Sequence, residues 1–388
     1  MMQPDTIIST ILKHDAKVTS YKIALLRAIN DVALNFPNLR NAGRDVAIPL
    51  RTLAEFWVAY YWPFADANNS IIQGQRARQR GGRNNDIAFR PKLTELRSLW
   101  QRELNTVSRP SDGFFFINEL RIPRKRDSYS PQLLSVYQRV LSAITGTMVD
   151  GPICHAGPGK FEVFDPPMKY SELGDTVVRI PGTQPADKCL VIRSDLWQTF
   201  QDLSLWIEAL CIHEWCLFTE RVEQENNKPA DRGDIYRLLT DRPGNRRPLT
   251  WERNHVDVLL MEGREFVCPW TKTRIVQGIQ YDLDHLLPVS LYPINELWNL
   301  VPADPDFNSH TKRDRLPTPA KLQQAQPHLE RAYRHYSTSK KLLAALRQDV
   351  DFRFLNLSSG ADSFPTALSV AVVDLINIVA ESRNLPRF

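Results

Sequence analysis

The chain has 388 residues, 43% hydrophobic and 24% charged, the balance of an ordinary folded protein with room for two or three domains. Its net charge of +5 is mild, so composition alone does not announce a nucleic-acid binder, and only local clusters of basic residues bear on that question. Five cysteines without a CxxC pair argue against a secreted disulfide framework, and MMQPDTIIST lacks the basic-then-apolar order of a signal peptide, so a soluble, reducing, cytoplasmic protein is expected.

Along the chain, Tyr21, Leu25, Ile29 and Val32 recur at helical spacing behind a cap at Ser20. LRTLAEFWVAYYW predicts a second helix stopped by Pro63, its aromatics reading as core rather than as a stacking platform for bases. NNSIIQGQRARQRGGRNN then changes character: Arg76, Arg78, Arg80 and Arg83 stand among Gly, Gln and Asn in a loop or arm with no acidic residue between Asp66 and Asp86. RIPRKR supplies a second basic cluster, Arg121, Arg124, Lys125 and Arg126. Each cluster is either a phosphate contact or a solvated loop surface.

Proline and glycine between Gly151 and Val191 predict irregular structure or short strands. SDLWQTFQDLSLWIEALCIHEWCLF predicts one long helix capped at Ser194 or Asp195, with Leu196, Phe200, Leu203, Ile207 and Leu210 as its apolar stripe. Cys211, His213, Glu214 and Cys216 lie within it, but a zinc-protease helix needs two histidines four apart, so they read as core or surface. RPGNRRP reads as a linker and TWERNHVDVLLMEG as another helix. The tail from Pro319 to Phe388 reads as mostly helical, with Leu368, Val372, Leu375 and Val379 on one packed face. Its stretch TALSVAVVDLINIVA is short and interrupted by Asp374 and Asn377, a poor membrane span, so no membrane insertion is expected.

The chemistry concentrates between Cys268 and Pro317. GIQYDL predicts a short strand ending in Asp284-His285 before Pro288. In a regular strand these two side chains point to opposite faces, and they converge only where the backbone bends. LWNLV predicts a second strand, and Asp304 caps a helix carrying Asn308, His310 and Lys312, with Asn308 and Lys312 sharing a face. Such a set suits phosphodiester hydrolysis. A neutral histidine acts as general base, Asp284 and Asn308 offer the oxygen ligands Mg²⁺ prefers, and Lys312 holds a phosphate as a point charge.

These positions resemble the HNH, or ββα-metal, endonucleases: Asp284-His285, then Pro288 and Ser290, then Asn299-Leu300, then Asn308, at intervals of fourteen and nine residues. The resemblance implies His285 as general base, Asp284 and Asn308 as ligands of Mg²⁺ or another divalent ion such as Mn²⁺, and Asn299 as a strut for the loop holding His285. His310 is a secondary candidate for the last motif position. Many HNH nucleases carry two CxxC pairs around a structural zinc; here Cys268 stands alone, and no zinc is expected. SYKIALLRAI, the YYWP run and NELWNLVPADPDFNSHTKRDRLP are similar to HNH proteins of bacterial phage-defence loci, the Zorya-type nucleases among them, which implies a defence role beside other proteins of such a system.

The expectation is therefore an α+β, mainly α-helical protein. Residues 1–245 form a helical DNA-binding or regulatory domain, 246–320 a ββα-metal module, and 321–388 C-terminal helices packing on the body. The partner expected is DNA, nicked one strand at a time, with Arg76 to Arg83, Arg121 to Arg126, Arg313 and Arg315 contacting its backbone. The alternatives are a nuclease for RNA or single strands, and a non-catalytic nucleic-acid-binding component with a vestigial site.

Overall fold

The computed structural model describes residues 3–39, 43–75, 86–226, 230–241, 249–292, 294–354, 357 and 363–388. Arg76, Arg78, Arg80, Arg83 and the RPGNRRP linker fall outside these. The chain is α+β and mainly helical, and it divides into two compact units. One comprises residues 1–117 with 127–241, the other residues 118–126 with 242–388. Residues 246–320 and 321–388 thus share a unit, to which a short segment from much earlier in the chain also belongs.

The first unit begins with α1 (Pro4–Lys13), α2 (Tyr21–Asn35), β1 (Val46–Pro49), α3 (Leu50–Tyr61) and α4 (Arg90–Leu104). Next come α5 (Asp112–Arg121), α6 (Pro123–Arg126) and α7 (Pro131–Met148), of which the end of α5 and all of α6 cluster with the second unit. Ser20 precedes α2 as expected, yet its hydroxyl bonds the buried Tyr61 hydroxyl at 2.8 Å rather than capping the helix. The α3 aromatics are core: Trp57, Tyr60, Tyr61 and Trp62 are each at most 2% exposed.

The Pro- and Gly-rich stretch yields β2 (Met168–Lys169), β3 (Val178–Arg179) and β4 (Lys188–Ile192). They join β1 in a four-stranded sheet of order β2-β4-β1-β3, with Val46 opposite Ile192. The long helix expected after Ser194 is two, α8 (Ser194–Asp202) and α9 (Ser204–Glu225). Leu203 leaves helical geometry (φ −108°, ψ 16°) and is 38% exposed, so the apolar stripe does not run through. Cys211 and Cys216 are buried, and Glu214 pairs with Lys13. α10 (Arg232–Thr240) completes the unit.

The second unit opens with α11 (Thr250–Met261) and a hairpin of β5 (Phe266–Val267) and β6 (Arg274–Ile275). Strands β7 (Asp282–His285) and β8 (Leu300–Ala303) pair antiparallel, Asp284 facing Val301 and His285 facing Leu300. A helical turn with π-type bonding follows at Phe307–Lys312. Three helices close the chain: α12 (Pro319–Thr338), α13 (Lys340–Arg353) and α14 (Phe364–Ser382). Leu368, Val372, Leu375 and Val379 are buried in this unit's core, as their spacing requires. By length and composition α14 could cross a membrane, but its apolar face is spent on that core.

Two tyrosines of α12 tie it to the strands. Tyr333 donates to the Trp298 carbonyl at 2.6 Å and Tyr336 to the Leu300 carbonyl at 2.9 Å, both bonds buried. The 118–126 segment is held by charge. Arg124 grips Asp349 with both terminal nitrogens, at 2.8 and 3.2 Å, and Lys125 lies 3.3 Å from Glu252. Glu252 and Asp349 side chains are each only 1% exposed, so these cations neutralise charges that water does not reach.

Candidate active site

Strand alternation puts Asp282 and Asp284 on one face of β7, and both reach the helical turn that follows β8. The Asn308 amide donates to Asp282 at 3.1 Å, and one turn later the Lys312 ammonium donates to Asp284 Oδ1 at 2.8 Å. Asn308 and Lys312 stand four apart, so two rungs link strand to turn. Asp304 starts the turn, its Oδ1 accepting from the Asp306 and Phe307 amides at 3.0 and 3.3 Å.

The second Asp284 oxygen accepts from the Trp270 indole at 3.0 Å. Trp270 belongs to the β5–β6 loop, which folds back through Cys268. The Cys268 amide donates to the Thr273 carbonyl at 2.9 Å, and the Cys268 sulfur accepts from the Thr271 amide at 3.5 Å. Lys312 also donates to the His285 carbonyl at 2.7 Å. Asp284 and Lys312 are 3% and 2% exposed, an ion pair withdrawn from solvent and worth little without those extra bonds.

His285 ends the strand. Its Nε2 lies 2.7 Å from the Asn295 side-chain oxygen. An amide oxygen only accepts, so Nε2 carries the proton and Nδ1 keeps its lone pair. Burial is the main influence on this imidazole and lowers its pKa, favouring the neutral ring. Asp284 and His285 are the last two residues of β7, and Lys312 touches both, through the Asp284 carboxylate and the His285 carbonyl.

Asn299 is fully buried and clamps the segment after His285. Its Oδ1 accepts from the Leu287 amide at 2.7 Å, its Nδ2 donates to the Leu287 carbonyl at 3.1 Å, and its backbone carbonyl takes the Leu286 amide at 2.8 Å. His310 is exposed and bonds the Asp306 carbonyl within its own turn at 3.1 Å, making no contact with Asp284. Arg313 is exposed at φ +49°, and Arg315 bonds the Thr311 carbonyl. Arg124 and Lys125 are engaged with buried carboxylates, so a phosphate would have to compete for them. Arg121 lies over the Phe352 ring. Sequence reasoning passed over Asp282, Asn295 and Trp270.

Asp282, Asp284 and Asn308 are hard oxygen donors of the kind a divalent ion takes, and in that chemical sense they fit one. Among the described residues no three His, Cys, Asp or Glu side chains converge, so such an ion would also need water or phosphate oxygens. Each Asp284 oxygen already takes one donor, one of them a cation, and an ion using Asp284 would bind on the remaining lone pairs or displace Lys312 or Trp270.

A model described as HNH endonuclease matches residues 268–318, a similarity that suggests a nuclease of the HNH type there. A second, described as a domain of unknown function (DUF8808), matches residues 2–239, and the chain belongs to that family. No curated protein and no solved structure matches the chain.

Proposed function

We propose that the protein is a metal-dependent endonuclease that hydrolyses DNA phosphodiester bonds at the Asp284–His285 site, with β7, β8 and the 307–312 turn serving as a ββα-metal module. The observation that carries this reading is His285. It is a buried, neutral histidine whose Nδ1 lone pair is left bare by the Nε2 bond to Asn295, on a strand end that Asn299 clamps. That is the state a general base needs before it takes a proton from water.

In this reading Nδ1 of His285 accepts the proton of the attacking water, and Asn295 and Asn299 keep the ring and its backbone in place. Asp284 and Asn308, with Asp282 beside them, would hold a divalent ion such as Mg²⁺ or Mn²⁺. When bound, the ion supplies charge stabilisation to the phosphate and the leaving oxygen. Lys312, beside Asp284, would supply a positive charge to that phosphate. One such site cuts one strand per event, so duplex DNA is nicked. A role in bacterial defence against phage, alongside partner proteins, rests on the resemblance of the sequence to defence-locus HNH proteins.

The test is supercoiled plasmid with Mg²⁺, beside His285→Ala and an EDTA control. Conversion to open circles by the wild type alone is expected. Equal nicking by His285→Ala, traced to the protein itself, would place the active site elsewhere. Cleavage confined to RNA or single strands would replace the substrate. Salt-sensitive binding without metal-dependent cleavage would favour a binding component with a vestigial site.

A further inference from the structure

The β5–β6 loop turns two sides to its surroundings. Trp270 reaches in to Asp284, and two residues later Lys272 stands exposed at the tip. Lys272 holds φ +64°, the left-handed region, which strains a side-chain-bearing residue and which glycine enters freely. A lysine kept at such a position, next to a candidate active site, prompts the question of what its charge does.

The loop packs on α12. Phe266 stacks edge-on against His335 at 5.1 Å, and His335 Nε2 donates to the Glu265 carbonyl at 2.9 Å. Lys321, His328, Arg331 and His335 recur along α12 at spacings of seven, three and four, a single helical stripe. Around it stand the exposed Arg264, Arg274 and Arg334, and with Lys272 and Arg331 these cations outnumber the carboxylates Glu265, Glu330 and Asp304, the last within 3.4 Å of the Thr271 and Thr273 hydroxyls. Glu265 pairs with Arg274 at 2.5 Å and approaches Arg331 at 3.8 Å, while Glu330 pairs with Arg334. Among the described residues no carboxylate pairs with Lys272 or Arg264.

The histidines register the resulting field. His328 is held below its ordinary pKa first by burial and then by Lys272 and Arg331; His335 is lowered by burial and by Arg331, Arg264 and Arg334. Lys272 and Arg264 without carboxylate partners, and Arg331 with only a 3.8 Å approach to Glu265, beside the proposed phosphodiesterase site, make a surface that attracts a polyanion.

We propose that the β5–β6 loop tip and the α12 stripe centred on the exposed Arg331 form a phosphate-binding ridge that seats the backbone of duplex DNA and leads it to Asp284. The ridge rests on the reading of this unit as a DNA nuclease. Its anchors are Lys272 and Arg331, which make phosphate contacts without reading bases. None of these residues lies in the basic clusters that the sequence singled out.

The experiment uses the full chain in EDTA, with a fluorescent duplex followed by anisotropy across a salt series. The variants are Lys272→Gly, Arg331→Glu, their combination, and Arg139→Glu as a remote control. Lys272→Gly relieves the left-handed strain, so its melting temperature should hold or rise while its affinity falls. The double variant should bind roughly tenfold more weakly and lower the log–log salt slope by about two. Its hydrolysis of a small chromogenic phosphodiester with Mg²⁺ should stay at the wild-type rate. Wild-type binding that the double variant retains with an unchanged slope would overturn the ridge and leave the nuclease reading standing. Failure of the wild type to bind duplex at all, or binding to anionic vesicles instead, would overturn the ridge together with the DNA substrate; small-diester hydrolysis would then show whether a nuclease site remains.

Discussion

Lys312 is the residue on which the chemistry of the site turns. It places an ammonium against Asp284 in a position where the proposed reaction wants a divalent ion, and it does so with 2% exposure. Removing it leaves a carboxylate buried without a counter-charge, which costs about 3 kcal/mol for a broken buried pair. Lys312→Met should therefore melt at a clearly lower temperature than wild type in EDTA. It should recover part of the difference when Mn²⁺ is added, because an ion bound only to the folded state stabilises it by mass action. A melting temperature unchanged in EDTA would mean that Lys312 does not balance Asp284. The motif residues were legible because several polar types recur in order at set intervals. Asp282 had a weaker signal in the strand period of two, which places it beside Asp284. Asn295 had none: a lone asparagine in a loop reads as a turn residue until the fold brings it to His285.

Among the elements, the short turn at residues 297–299 carries Asn299 to its clamp and is itself held by buried charge. Asp349 of α13 accepts from the Leu297 amide at 2.7 Å, and Glu296 pairs with Arg353 at 3.0 Å. Burial pushes the Asp349 carboxyl up to about 6, against the opposing pull of Arg124. The sign follows directly. The folded state binds this proton more tightly than the unfolded chain, so the group's contribution to stability is complete below about pH 4 and is lost as pH rises through about 6. Asp349→Asn removes that dependence. Unfolding free energies of wild type and variant, compared by denaturant titration from pH 4 to 7, should drift apart by about 3 kcal/mol, with the wild type losing ground as pH rises. A constant difference would mean that Asp349 does not titrate in this window. Such a pair was illegible beforehand, since Asp349 lies in a charged, ordinary-looking helix and its partner Arg124 more than two hundred residues away. The break at Leu203 was hidden for a related reason, because apolar spacing continues through it while the backbone does not.

At the scale of the whole molecule, the second unit is discontinuous in sequence, and this bears on how the nuclease could be isolated. A linker-based cut near residue 245 keeps β5 to β8, the 307–312 turn and all three C-terminal helices. It discards 118–126, and with it Arg124 and Lys125 on the buried carboxylates of Asp349 and Glu252. Two buried anions would be left without cations, while the 297–299 turn would depend on one of them. A fragment spanning residues 242–388 should accordingly be less cooperative in thermal unfolding than the same unit within the full chain. Its stability should rise when the medium is acidified toward pH 5, where protonation relieves Asp349. A synthetic peptide of residues 118–126 added in excess should raise its melting temperature, and the same peptide with Arg124→Ala and Lys125→Ala should not. If the fragment melts as sharply and as high as this unit does in the full chain, the segment is a passenger on it, and RIPRKR regains its standing as a surface for phosphate.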